Sequence, residues 1–125
     1  MNREEKYLVI DDISGRIPHG VVFKTDWGNK TLKGIQYDYV NTLLYFGVCD
    51  STNKIIETYV SEVKPYLFPI SSMTQEQKNA IDLIASSSST VLSDVVDFYN
   101  KNHIDYRGLI PKGLAIDATG LNIYF

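Results

Sequence analysis

The chain has 125 residues, 44% of them hydrophobic, 22% charged and 12% aromatic, with 12 basic and 15 acidic side chains and a net charge of -3. That length fits one domain over residues 1–125 and buries about two-thirds of the unfolded surface, enough for a real core. The apolar fraction excludes a disordered chain, and the mild acidity argues against a strongly basic nucleic-acid binder while leaving room for a local basic patch.

Residues 3–17 read as a short amphipathic helix. Tyr7, Ile10, Ser14 and Ile17 step at helical spacing with Ile13 beside them, and Pro18 closes the segment. The rival reading makes Tyr7-Leu8-Val9-Ile10 a strand, because a short apolar run carries no decisive period. Asp11-Asp12 interrupts that run and the N-terminus mixes both charges, so no signal peptide is expected. No apolar run approaches the roughly 18 residues of a membrane span.

Residues 20–63 read as β-rich. Val21 to Thr25 is the first strand, and Asp26-Trp27-Gly28-Asn29 a turn. The second strand covers residues 31–40, with Ile35, Tyr37 and Tyr39 on one face and Gln36 and Asp38 on the other. Asn41-Thr42 links it to a third strand, residues 43–49, apolar on both faces and therefore central. Asp50-Ser51-Thr52-Asn53 turns into a fourth strand, residues 55–62. Four strands joined by short turns predict an antiparallel meander curling toward an SH3-like or small barrel.

The last part changes character. Pro65-Tyr66-Leu67-Phe68-Pro69 is expected not to be a regular central element, because each proline removes a donor. Thr74 and Gln77 match a capping box opening a helix with Gln77, Ala80, Ile81 and Ile84 on one face. The serine tract 86–89 ends that helix and, with Ser89 or Thr90 as cap, begins another. Val91, Leu92, Val95, Val96, Phe98 and Tyr99 give the second helix a wide apolar face; Lys101 suits its C-terminal dipole and Asn102 its left-handed end. Leu114-Ala115-Ile116, a turn at 117–120 and residues 121–125 predict a terminal hairpin. The fold class is thus α+β: a short N-terminal helix, a four-stranded antiparallel meander, a two-helix segment and a C-terminal hairpin.

Few residues carry recognisable chemistry. The phosphate-loop, dinucleotide, zinc and nucleophile-elbow motifs are absent. The lone Cys49 sits in the apolar run 43–49, reads as a buried inert thiol and has no disulfide partner. His19 and His103 lack a neighbouring nucleophile; His103-Ile104-Asp105 pairs imidazole and carboxylate, but a metal needs three or four ligands. Asp94 and Asp97 read as a solvated helix face. One enzyme-like constellation joins Asp50 to Glu62 and Lys64, the Asp…Glu-x-Lys pattern of metal-dependent nucleases. Against it, Asp50 begins an obvious turn. Nine tyrosines are many, and Tyr37, Tyr39, Tyr45 and Tyr59 fall on the sheet, where aromatics can stack single-stranded bases. Residues 20–66, however, hold five lysines against five acids, so that surface has no surplus of positive charge and core packing explains the rings better.

Three stretches carry a resemblance: Asp12-Ile13-Ser14-Gly15-Arg16-Ile17-Pro18-His19-Gly20-Val21, Val63-Lys64-Pro65-Tyr66-Leu67-Phe68-Pro69-Ile70-Ser71-Ser72-Met73-Thr74, and the run from Phe98 through Asp105-Tyr106-Arg107-Gly108-Leu109-Ile110-Pro111-Lys112-Gly113-Leu114-Ala115. Together they resemble a group of small uncharacterised proteins of gut Bacteroides-group bacteria, their phages and mobile elements. Phe68 stands where that group usually has arginine. The resemblance spans nearly the whole chain and implies a setting, a mobile-element accessory protein, rather than a chemistry.

The matching stretches fall at junctions between elements. Arg16, Asp105 and Arg107 are expected to tie those junctions by charge-assisted hydrogen bonds, and His19 and Tyr106 lie beside them, so these five form the candidate binding or junction set. The sequence leans away from an enzyme: no catalytic residue, metal ligand or cofactor is assigned. The expected function is a non-enzymatic protein-interaction module of a phage or mobile element in the bacterial cytoplasm, with an unknown protein partner or self-association, and neither nucleic acid nor membrane. The alternatives are the nuclease-like enzyme using Asp50, Glu62 and Lys64, and a weak single-stranded nucleic-acid binder.

Overall fold

The computed structural model describes residues 1–37, 42–49, 51–87 and 91–124. It is an α+β structure whose strands divide between two sheets. Helix α1 (Arg3–Ser14) opens on a capping box that the sequence reading missed. Asn2 Oδ1 accepts from the Glu5 amide and Glu5 Oε1 accepts from the Asn2 amide. The helix is shorter than the expected 3–17, and a 3-10 turn (Ile17–His19) that includes Pro18 follows it. Its buried side is Val9, Ile10, Asp12 and Ile13, whereas Tyr7 is exposed. Gly15 caps the helix where Asn100 packs so closely that a Cβ would lie 2.7 Å from Asn100 Nδ2.

Strand β1 (Val22–Thr25) turns at Asp26-Trp27 into β2 (Gly28–Thr31). The strand expected over 31–40 therefore starts earlier and is interrupted at Leu32-Lys33, after which β3 (Gly34–Tyr37) pairs with a different neighbour. The interruption is a change of sheet: Leu32 N–H bonds Val21 O at 2.9 Å, and Lys33 N–H bonds Tyr45 O at 2.8 Å. Strand β4 (Thr42–Val48) is central between β3 and β5 (Ile55–Tyr59), as its apolar faces predicted, with a bulge between Tyr45 and Gly47. Residues 60–62, expected to prolong β5, form a second 3-10 turn. Tyr39, Val40 and Asn41 lie outside the described residues.

The main correction is β6 (Lys64–Pro69), the segment expected to be irregular. It pairs antiparallel with β1, parallel with β7 (Ile104–Asp105) and parallel with β8 (Ile116–Asp117), giving a five-stranded sheet in the order β2-β1-β6-β7 with β8 also on β6. The prolines do not break it because they stand at its two ends. Between them the Phe68 amide donates to His103 O, and Leu67 O accepts from the Ala118 amide, both at 2.8 Å. The single four-stranded meander is thereby replaced by two sheets. The expected terminal hairpin is likewise absent among the described residues, since β8 finds its partner in β6 and residues 121–124 form no strand.

Helix α2 (Gln75–Ser87) opens on the expected capping box: Thr74 N–H to Gln77 Oε1 at 3.0 Å and Gln77 N–H to Thr74 Oγ1 at 3.1 Å. Helix α3 (Val91–Lys101) packs against it; the proposed caps Ser89 and Thr90 lie outside the described residues. The left-handed residue after α3 is His103 at φ 58°, not Asn102, whose Nδ2 instead bonds Phe98 O at 2.9 Å. The core joins Val9, Ile10 and Ile13 of α1 to Val21, Phe23, Leu32, Leu44, Phe46, Ile56, Val60, Leu67, Leu109 and Leu114. No helix among the described residues is long and apolar enough to cross a membrane.

Candidate functional site at the helix–sheet junction

The capping geometry at the end of α1 carries Arg16 inward, one turn beyond Asp12. Both residues are 0% exposed. Arg16 Nε lies 2.8 Å from Asp12 Oδ2 and Nη2 lies 3.1 Å from Oδ1, a forked pair that matches guanidinium to carboxylate. Nη2 also donates to Ile104 O at 2.6 Å, which ties the end of α1 to β7. Arg107 approaches the same carboxylate at 3.7 Å with its side chain 32% exposed. Tyr106 lies beneath both cations, with guanidinium carbons 5.3 Å (Arg16) and 5.2 Å (Arg107) from its ring centroid, and stacks on Tyr99 at 5.2 Å.

Asp105 does not pair with an arginine. Its two oxygens accept the amides of Leu109 at 2.8 Å and Ile110 at 2.9 Å, folding the 105–110 loop back on itself. The structure therefore brings Arg16, Tyr106 and Arg107 together around Asp12, while Asp105 takes backbone partners. His19 is exposed on the 3-10 turn.

Sequence reasoning missed Asp12, Asn100 and Tyr124, and weighed His103 only as a metal ligand beside Asp105. The four-residue spacing of Asp12 and Arg16 was the available signal for the first. His103, 9% exposed, stacks on Tyr124 with centroids 3.6 Å apart and planes 9° apart. Burial first, then the electrostatic effects of Arg16 and His19, lower the His103 pKa to about 4, so the imidazole is neutral near pH 7. Burial pushes the Tyr124 phenol up to about 12. Its hydroxyl accepts from the Val22 amide at 3.0 Å and donates to Tyr66 O at 2.6 Å, forming a side-chain rung between β1 and β6. Arg16 Nη1, Asn100 Oδ1 and His103 Nδ1 are buried without a hydrogen-bond partner.

The other candidates are dispersed. Glu62 and Lys64 line a cleft of about 570 Å³ with Lys24, Asp26, Lys112 and Glu5, but Asp50 lies outside the described residues. Among the described residues, no group of three or more His, Cys, Asp or Glu is placed to hold a metal ion. Of the sheet tyrosines, Tyr45 is half-buried and Tyr59 is 45% exposed; the side chains of Tyr37 and Tyr39 lie outside the description. Asp97 is exposed as expected and Asp94 half-buried. Cys49 is half-buried rather than sealed, with Sγ 3.3 Å from Ser51 Oγ, and the hydroxyls of Ser51 and Thr52 lower its pKa to about 7.

One surface is chemically distinctive. Strand β4 turns Leu44 and Phe46 into the core and β5 turns Ile56 inward. The opposite face of that sheet carries the cross-strand pairs Leu43–Tyr59, Tyr45–Glu57 and Val48–Ile55, of which Val48, Ile55, Glu57 and Tyr59 are exposed. Comparison with protein-family models, curated proteins and solved structures returns no match.

Proposed function

We propose that the chain is a non-enzymatic protein-interaction module, an accessory protein of the phage and mobile-element setting that the three motif stretches resemble, working in the bacterial cytoplasm. The observation that carries the reading is the outward face of β3-β4-β5, where Val48, Ile55 (62% exposed) and Tyr59 surround Glu57. Exposed apolar groups gathered on one rigid sheet, with tyrosine among them, are the composition of a protein interface. The buried Arg16–Asp12 network then acts as the scaffold that holds the sheets in place, not as a binding site.

The partner is a different protein bearing a basic group. A second copy docking face to face about a two-fold axis would set Glu57 near Glu57 on chains that each carry a net charge of -3.

We read the two sheets as an SH3-like small barrel. Three features support this: the antiparallel β1–β6 pair, the 3-10 turn (Val60–Glu62) between β5 and β6, and the passage of the chain from one sheet to the other at Leu32-Lys33.

The test compares proteins recovered from host lysate by the wild type and by an Ile55→Asp/Tyr59→Asp variant of unchanged melting temperature. A partner held by the wild type and lost by the variant supports the reading. Equal recovery, or none by either, overturns it. Sedimentation reporting a dimer abolished by the same variant would replace it with self-association.

A further inference from the structure

A second cavity, about 360 Å³, opens between β6, the start of α2 and the residues that follow α3. Its size is within the range of small-molecule sites, on the order of 300–1,000 Å³. Aromatic walls come from Phe68, His103 and Tyr124, the last two stacked and Phe68 inclined to Tyr124 at 5.9 Å. Hydrogen-bonding groups come from Ser72, Thr74, Gln77 and Asn102.

Three features of that lining have one sign. Among the described residues that line it, Lys101 is the only charged side chain and none is a carboxylate; Lys101 has no ion pair among the described residues. The N-terminal end of α2 meets the cavity at Thr74 and Gln77, bringing the positive end of the helix dipole. The Gln77 oxygen is occupied by the Thr74 amide, which leaves the Gln77 NH₂ as the end able to donate.

The independent observation is His103. It is nine-tenths buried, it lines the cavity, and its buried Nδ1 has no hydrogen-bond partner among the described residues. A buried imidazole without a partner is costly unless a ligand or solvent completes it. Its depressed pKa keeps it neutral near pH 7, so it offers one N–H without adding charge. The charge that selects the ligand therefore falls to Lys101 and the helix end.

We propose that this cavity binds a small planar organic anion, an aromatic carboxylate. The ring lies against Phe68 and the His103–Tyr124 stack, and the carboxylate faces Lys101 and the start of α2.

The test is a ¹H–¹⁵N NMR titration of the whole chain with benzoate, its neutral isostere benzamide, and inorganic phosphate. Lys101 is exposed, so Lys101→Met tests the charge without touching the core. The expected result is saturable shifts from benzoate confined to residues 68–77, 101–104 and 124. Benzamide and phosphate should each bind about tenfold more weakly, and Lys101→Met should weaken benzoate about tenfold, as the loss of one charge-assisted contact predicts. Absence of saturable benzoate shifts, shifts centred elsewhere, equal binding of benzamide or phosphate, or an unaffected Lys101→Met variant would each overturn the proposal.

Discussion

Arg16 and Ile104 stand 88 positions apart in sequence and are joined by a 2.6 Å hydrogen bond from the guanidinium Nη2 to the main-chain carbonyl. The same guanidinium forks onto Asp12, so one buried cation fixes the end of α1 to both its own last turn and the short strand β7. Removing it leaves a fully buried carboxylate whose counter-charge among the described residues is the partly exposed Arg107 at 3.7 Å.

Arg16→Met is therefore expected to cost about 3–5 kcal/mol, the usual penalty for breaking a buried ion pair on one side. The double variant Asp12→Leu/Arg16→Met should recover part of this. About 0.5–1.5 kcal/mol remains lost because the Ile104 carbonyl keeps only the Tyr106 amide, at 3.1 Å, as a partner. Urea denaturation of the three proteins measures both numbers, and additive losses would refute the pairing.

A side chain at position 15 meets Asn100. Gly15 has an ordinary φ of -77°, so Gly15→Ala strains no dihedral; its Cβ would instead lie 2.7 Å from Asn100 Nδ2. The substitution should destabilise by about 1–3 kcal/mol through overpacking. Gly15→Ala/Asn100→Ala should be more stable than Gly15→Ala alone, a coupling that thermal melts read directly.

The stability of the fold should fall as pH drops through the weakly acidic range. His103 has a folded pKa near 4 against 6.5 for an ordinary histidine, so between those values the unfolded chain binds the extra proton and stability decreases with falling pH. From pH 7 to pH 5 the loss from this group is about 2 kcal/mol. His103→Asn, a residue that tolerates the left-handed backbone there, should flatten the melting temperature over that interval. An unchanged slope would assign the dependence elsewhere.

Tyr124→Phe deletes one hydroxyl and leaves two buried main-chain groups, the Val22 amide and the Tyr66 carbonyl, without that partner. The expected cost is about 1–3 kcal/mol. Hydrogen exchange at the Val22 amide should accelerate by more than the global loss of stability accounts for.

What could be read in advance was local. The Thr74–Gln77 cap and the central place of β4 each rest on neighbours in sequence or on periodicity. The misreadings share one cause: partners far along the chain. Alternation at 114–125 looks like a hairpin, yet Ile116 pairs with Tyr66, fifty residues earlier. Prolines at 65 and 69 look like breakers until β7 and β8 show that the donors and acceptors in use lie between them. The left-handed turn fell on His103, one residue past the asparagine that propensity favoured, because the main chain bends there toward β7.

The rung supplied by Tyr124 spans 102 positions, from Val22 to the last residue described. Closing so long a loop carries an entropic cost before any contact repays it, and contacts of such separation slow folding. During synthesis β1 can meet β6 before Tyr124 is made, so a ribosome-bound chain lacking that residue holds the pair without the hydroxyl that joins Val22 to Tyr66. The order of translation thus places the closing of this rung after every other strand of the sheet has been made.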